Sequence, residues 1–262
     1  MSSATPIAFR GGGFQPQGRR AVAVAGLAGL LALWQAAVSF GLLNPLFLPS
    51  PWQIGAALWQ LALSGDLWRH VSVSLGRMAA GWAIGTFCGL AVGLAVGLFS
   101  AARALGVPLV SALFPIPKIA LLPLLILWLG IGEPSKVAVI ALGVFFPTVI
   151  ASYSGVDGVP RNLVRMAQSF GLPFRAIVLK VLLPGALPSV LAGFRITASI
   201  ALLLLVSAEM IGAQYGIGAF VLQAGNLMQT DQLMAGVAVL SLLGLAVGAL
   251  VTRLEKVLLA WR

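Results

Sequence analysis

From residue 78 to residue 102 this chain carries no charged side chain, and the stretches 21–40, 137–156 and 232–252 repeat the pattern. A helix needs about 20 mostly apolar residues to cross the hydrocarbon core of a bilayer. It also satisfies its own backbone N–H and C=O groups there, which an open strand cannot do. Two further stretches qualify with interruptions. One covers 107–129 and is broken by Lys118, Pro115, Pro117 and Pro123; the other covers 190–212, with Glu209 near one end. Of the 262 residues, 60% are hydrophobic and 8% charged, against about a quarter charged in a soluble domain. A water-soluble enzyme of this size is thereby excluded. The expected fold class is an all-α membrane protein with six transmembrane helices, comprising a tail over 1–20 and a single membrane domain over 21–262. The first apolar run exceeds the roughly 7–15 residues of a signal-peptide core, so it is read as a retained span.

Six crossings put both termini on one side. With the N-terminus in the cytoplasm, the inner segments hold Arg10, Arg19, Arg20, Arg103, Arg161, Arg165, Arg175, Lys180, Arg195, Arg253, Lys256 and Arg262. The outer segments hold only Arg69, Arg77 and Lys136. Basic residues concentrate on the cytoplasmic side of membrane proteins. The expected placement is therefore the inner (plasma) membrane, with both termini and the segment 157–189 in the cytoplasm. The net charge of +10 is scattered between spans rather than gathered on one face, which argues against nucleic acid as a partner.

Within the second span Gly81, Gly85, Gly89, Gly93 and Gly97 recur every fourth residue and share one helix stripe. Small residues let two helices approach closely in lipid, where the hydrophobic effect hardly drives pairing. The stripe fits tight packing inside the bundle; a dimer seam or a moving surface is the other reading. Cys88 has no second cysteine, so neither a disulfide nor a thiolate metal site is expected. His70, the single histidine, is read as a polar loop residue. Ser50 before Pro51 marks a helix start, and Trp52 and Trp59 suit a helix lying at the membrane interface. The segment AQYGIGAFVLQAGNLMQTD, between the last two spans, is too polar to cross but apolar enough to dip in.

The stretch RMAQSFGLPFRAIVLKVLLPG holds three basic residues and no acid. From Pro160 the spacing predicts a short helix with Leu163, Met166, Ala167 and Phe170 on one apolar stripe and Asn162, Arg165 and Ser169 turned away. Gly171 suits the left-handed geometry that ends a helix, and Pro173 suits the start of the next. Pro184 and Pro188 are expected to break the chain again before the fifth span. Such a segment fits either a groove on a partner or the anionic inner leaflet.

This pattern resembles the cytoplasmic coupling signature of binding-protein-dependent ABC importer permeases, E-A-A-x-x-x-G, nine residues, then I-x-L-P. Here it falls on Arg165, Met166, Ala167 and Gly171, then Val181, Leu183 and Pro184, with Arg165 where the family has glutamate. PIPKIALLPLLILWLGIGEPSK, LPGALPSVLAGFR, AEMIGAQYGIG and LMQTD resemble the branch that imports aliphatic sulfonates, taurine and nitrate. The likeness covers roughly residue 33 to the C-terminus.

The resemblance implies a type I ABC importer permease fold with a cytoplasmic coupling helix. It implies contact with an ATPase through Arg165, Met166, Ala167, Gln168, Ser169, Phe170, Gly171, Leu172, Pro173, Leu183 and Pro184. Two copies would pair around a central pathway. A cytoplasmic ATPase dimer would bind ATP and magnesium, and a periplasmic or surface solute-binding protein would deliver the substrate. The sequence has no G-x-x-x-x-G-K-[ST] phosphate loop, so no nucleotide site of that type is expected in this chain and it is not read as an enzyme. Aliphatic sulfonates are the expected cargo; taurine, nitrate or a small heterocycle are the alternatives. Lys118 and Glu209 are candidate pathway residues because charges within spans are costly. Lys118 either attracts an anion or is neutralised by Glu209 or another group. An ATP-independent secondary transporter would carry inverted repeats and ion-coupling groups at the midplane, and no convincing repeat is present.

Overall fold

A computed structural model describes residues 20–261. Most of the tail over 1–20, with Arg10 and Arg19, and Arg262 at the other end, lies outside the described residues, as does the Arg20 side chain. Within them the chain forms helices and no strand. Five helices are long and apolar enough to cross a bilayer, and a bent pair supplies a sixth crossing if its two halves act as one.

The first helix, α1 (Arg20–Ser39), is exposed along residues 21–33, as an apolar helix surrounded by lipid can be. It meets α2 (Pro51–Ser64) through the Gln35 side-chain oxygen, which accepts from the Trp52 N–H at 3.2 Å. The expected start of α2 is a capping box. Gln53 N–H donates to Ser50 Oγ at 3.3 Å, and Ser50 N–H donates to the Gln53 side chain at 2.8 Å, satisfying two N–H groups the helix leaves free. Trp52 and Trp59 are exposed on it. Gly65, at φ +86°, turns the chain directly into α3 (Asp66–Leu98).

That start corrects the expected second span, which was bounded at Arg77 because the uncharged run begins there. The helix extends N-terminally through Arg69, His70 and Arg77, and Arg77 is buried with partners on other helices. His70 is correspondingly a helix residue, not a loop residue. The expected span over 107–129 is also redrawn. After Phe99 comes α4 (Ser100–Leu113), then a break across Pro115 and Pro117, a 3-10 turn over Lys118–Leu121, and α5 (Leu122–Leu129). The two halves meet at 86°. Prolines without N–H groups cannot extend the hydrogen-bond ladder of α4, whereas Pro123 sits in the first turn of α5, where no N–H is needed.

Next come α6 (Glu133–Asp157), α7 (Arg161–Ser169) and α8 (Phe174–Ile177). A π turn over Val178–Leu182 leads into α9 (Leu183–Met210). Pro184 and Pro188 therefore do not break the chain, contrary to expectation. Pro184 occupies the first turn of α9 and Pro188 lies inside it. The widened turn just before Pro184, with Leu183 N–H bonded to Val178 O, keeps the backbone helical where the proline ring would crowd a regular one. The fold closes with α10 (Ile217–Asn226), between the last two spans, and α11 (Thr230–Leu258).

The core lies where α3, α5, α6 and α9 meet, around Leu122, Val139, Ile140, Val144, Ala201 and Leu205. The glycine stripe of α3 faces α6 of the same chain along its whole length. A Cβ added at Gly89 would sit 2.7 Å from Thr148 Cβ and 2.8 Å from Phe145 O; one added at Gly93 would sit 2.7 Å from Val149 O. The stripe is thus a packing seam inside the bundle, not a dimer seam. Polar side chains in this seam bond locally. Thr148 Oγ1 donates to Val144 O at 2.8 Å and Ser152 Oγ to Thr148 O at 2.7 Å, so neither hydroxyl is left unpaired in an apolar setting.

Candidate functional site

Two structures stand at opposite ends of α6. At its C-terminal end, beyond Asp157, α7 ends on a Schellman motif. Leu172 N–H donates to Ala167 O at 3.2 Å and Gly171 N–H to Gln168 O at 2.9 Å, with Gly171 at φ +71°. Those two bonds satisfy carbonyls that the helix end would otherwise leave free. Pro173, in extended geometry, then starts α8. The expected turn is therefore present at the residues that predicted it.

Of the expected stripe, Ala167 is buried while Leu163, Met166 and Phe170 are exposed, Phe170 at 77%. Three large apolar side chains thus face outward on α7 and its C-terminal cap, an exposed apolar patch rather than a core contact. Ser169 Oγ caps back onto Met166 O at 2.9 Å. Leu183 and Pro184 open α9 just after the π turn, which itself packs against α7. Arg165 and Gln168 line a cleft of about 760 Å3 behind the helix, with Arg103 and Arg161.

The other end of α6 holds a buried charge cluster. Glu209, 1% exposed, closes α9; Arg77, 5% exposed, reaches it from α3 at 2.8 Å. The remaining guanidinium edge holds Glu133 through two bonds of 2.6 and 2.5 Å, and Arg77 also donates to Tyr215 O at 2.6 Å. Ser74 Oγ donates to Glu209, lying 2.7 and 2.9 Å from its two oxygens, and accepts from Ile217 N–H at 2.9 Å. Gly218 N–H donates to Glu209 Oε2 at 2.9 Å. The His70 ring nitrogen Nδ1 lies 2.9 Å from Gly216 O and 3.0 Å from Gly216 N. His70, Ser74 and Arg77 follow one another at i, i+4 and i+7, so a single stripe of α3 fastens the start of α6, the end of α9 and the start of α10. Gly216, at φ +135°, has no room for a side chain, because a Cβ there would meet the Glu209 carboxylate.

Lys118 and Glu209 are not brought together. Lys118 Nζ donates to the carbonyls of Leu113 at 2.8 Å, Phe114 at 3.1 Å and Ile116 at 2.7 Å, and lies 4.6 Å from the Phe146 ring centroid. Three carbonyls saturate the three donors of an ammonium group. Lys118 thus closes the C-terminal end of α4, where prolines leave carbonyls free, and Glu209 is neutralised by Arg77 instead. Sequence reasoning missed Arg77, Ser74 and Glu133. The signal was the polar stripe at 70, 74 and 77, which becomes visible once the helix is extended past its first charge.

Removing the Lys118 ammonium is expected to act on the fold rather than on anion affinity. Lys118→Met should lower thermal stability by about 0.5–1.5 kcal/mol, the net worth of the bonds lost at three carbonyls of exposed residues. The KM for an anionic substrate, read from uptake kinetics, should stay within about twofold. A KM rising tenfold at unchanged melting temperature would return Lys118 to the pathway.

A family model described as "Binding-protein-dependent transport system inner membrane component" matches residues 85–260. The chain belongs to that family. It is an all-α inner-membrane permease, and the relatives agree with the family model. SsuC of Escherichia coli (strain K12), assigned as an aliphatic sulfonates transport permease protein, is 39% identical over 89% of this permease and 89% of its own length. The taurine transport system permease protein TauC of the same organism is 35% identical over 90% and 87%. SsuC of Bacillus subtilis (strain 168) is 35% identical over 89% and 84%. In three dimensions this permease resembles a chain of the MetNI methionine ABC transporter solved in an inward-facing conformation. That likeness has a TM-score of 0.65 at 22% identity and covers 75% of this permease and 98% of that chain. It establishes the type I ABC importer permease fold.

Proposed function

We propose that this permease forms half of the translocation pathway of an ATP-driven importer for aliphatic sulfonates. The observation that carries the reading is α7: an amphipathic helix with Leu163, Met166 and Phe170 turned outward, ended sharply at Gly171, and continuous through α8 and the π turn with the span α9. A rigid arm of this kind transmits the closing of an attached ATPase pair to a membrane helix as rigid-body motion. A second copy completes the pathway, a cytoplasmic ATPase dimer binds ATP and magnesium, and a periplasmic or surface solute-binding protein loads the outer mouth. The α7 end and both termini face the cytoplasm, in keeping with the bias of basic residues. Sulfonate is favoured by the likeness to the two SsuC permeases. Taurine is the second reading, supported by TauC, and it shares the sulfonate group.

Reconstituted with its ATPase and binding protein, the permease should accumulate a radiolabelled alkanesulfonate only when ATP is supplied inside; uptake without ATP overturns the proposal. Gly171→Val should keep ATP hydrolysis and lower uptake at least tenfold. A Cβ at Gly171 meets nothing within 4 Å, so the effect is conformational. A β-branched residue at φ +71° costs about 1–3 kcal/mol, and the turn opens. Gly171→Asn, which tolerates this geometry, should retain most uptake.

A further inference from the structure

We propose that the π turn over Val178–Leu182 is a register element: it takes up one surplus residue and so fixes the angle at which the α7–α8 arm leaves the span α9. Apart from this turn, Phe174–Met210 is one continuous helix. The defining bond runs from Leu183 N–H to Val178 O, one residue further back than in a regular helix. None of the five residues of the turn is buried; the contacts that require its geometry lie on either side.

Downstream, α9 is pressed against α6. A Cβ added at Gly155 would sit 3.0 Å from Ala186 O and 3.1 Å from Ser189 Cβ, and one added at Gly193 would meet Ala151. A Cβ at Gly185 would sit 2.8 Å from a methyl of Val159. Upstream, Ile177 is buried, and the Phe174 ring lies 6.1 Å from that of Phe99, between α3 and α4. At about 100° per residue, a regular helix would turn Phe174 and Ile177 about 100° away from the side that carries Gly185, Ala186, Ser189 and Gly193. Taking one residue out of the count brings both groups onto the same side. The wide turn thus lets a single helix keep its α6 seam and its α8 anchors together. Pro184 favours it from the other direction, because in a regular turn the proline ring would meet the carbonyl of Lys180. The register in turn decides where Leu163, Met166 and Phe170 point, since α7 joins α8 through the short turn at Gly171 and Pro173. Only the consequence for transport rests on the proposed reading of α7; the register itself does not.

The test is deletion of Lys180, an exposed residue of the turn, alone and together with P184A. The deletion alone forces the proline ring into a regular turn, and ATP-driven uptake by the full complex should fall at least about tenfold. With P184A the shortened helix is regular and keeps its original register, so uptake should return to within about threefold of the unaltered chain. Arm position is read without any ATPase, from the distance between spin labels at Ser169 and Lys256, both exposed, in a Cys88→Ser background. That distance should shift in the single deletion and return to its original value in the double variant. If the single deletion does not fold, recovery of folded yield by P184A is the expected result instead. Deletion of Ser199, in the regular part of α9, should not be rescued by P184A. Failure of P184A to restore the distance or the yield overturns the proposal, as does equal rescue of the Ser199 deletion. A single deletion that changes neither distance nor uptake overturns it too. A restored distance in a complex that never transports with ATP upholds the register and removes the transport reading.

Discussion

Arg77→Met is expected to be among the most damaging single substitutions in this permease, lowering stability by about 3–5 kcal/mol. The guanidinium is the positive partner of Glu209, whose carboxylate is 1% exposed. Removing it leaves a buried anion with only Ser74 Oγ and Gly218 N–H for compensation, and such a group costs several kcal/mol or takes up a proton. The Tyr215 carbonyl loses its donor at the same time, so the link between α9 and α10 loosens. At about 2–4 °C per kcal/mol for a chain of this size, the melting temperature in detergent should fall by roughly 10 °C. The double variant Arg77→Met with Glu209→Leu removes both charges and should recover more than half of that loss, because the cost lies in the unpaired charge rather than in the absent bond. Glu133→Gln should cost about 1 kcal/mol or less, since the Glu133 side chain is 61% exposed and water screens the pair. A double variant no more stable than Arg77→Met would show that the pair is not the unit that matters.

The second large effect is expected at the glycine seam. Gly89→Ile places a Cβ 2.8 Å from the backbone oxygen of Phe145, which cannot swing aside as a side-chain tip can, so α3 and α6 must separate. Overpacking of a close seam costs about 1–3 kcal/mol and occasionally more. Here the displacement is shared along a helix of 33 residues, so the folded yield in membranes should fall severalfold. Two other glycines calibrate the measurement. Gly97→Ala should be the mildest change in the stripe, since its nearest contacts are Val156 side-chain atoms at 2.9 and 3.1 Å. Gly76→Ala, on the same helix with nothing within 4 Å, should be neutral or stabilising by about 0.5–1 kcal/mol, because alanine is the better helix former. Equal damage at Gly76 and Gly89 in a yield and melting assay would remove close approach as the cause.

The legible and illegible parts of this molecule divide by range. Gly171 and Pro173 marked the end of α7 and the start of α8 because a left-handed residue followed by a proline decides its own backbone locally. The four-residue glycine repeat likewise announced a close helix contact, although not which helix it meets. Arg77 was misplaced for the opposite reason. An isolated charge reads as the edge of a span, and only its ion pair with Glu209, 132 residues away, makes it tolerable inside one. Lys118 followed the same logic: it read as an anion site or an ion-pair partner, yet its three donors are taken by carbonyls that the neighbouring prolines leave free. Pro184 and Pro188 read as breaks because a proline removes one hydrogen bond, whereas a π turn upstream keeps the helix continuous.

Composition and periodicity alone determined that this chain lives in a bilayer, how many times it can cross, and where its outward-facing arm bends. These follow from the solvation of single residues and the geometry of single helices. Which charges cancel, which helix fills the glycine seam and which side of α7 stays open were decided only by the tertiary structure. Each of those depends on the energy of two groups distant in the chain, and no property of either group alone contains it.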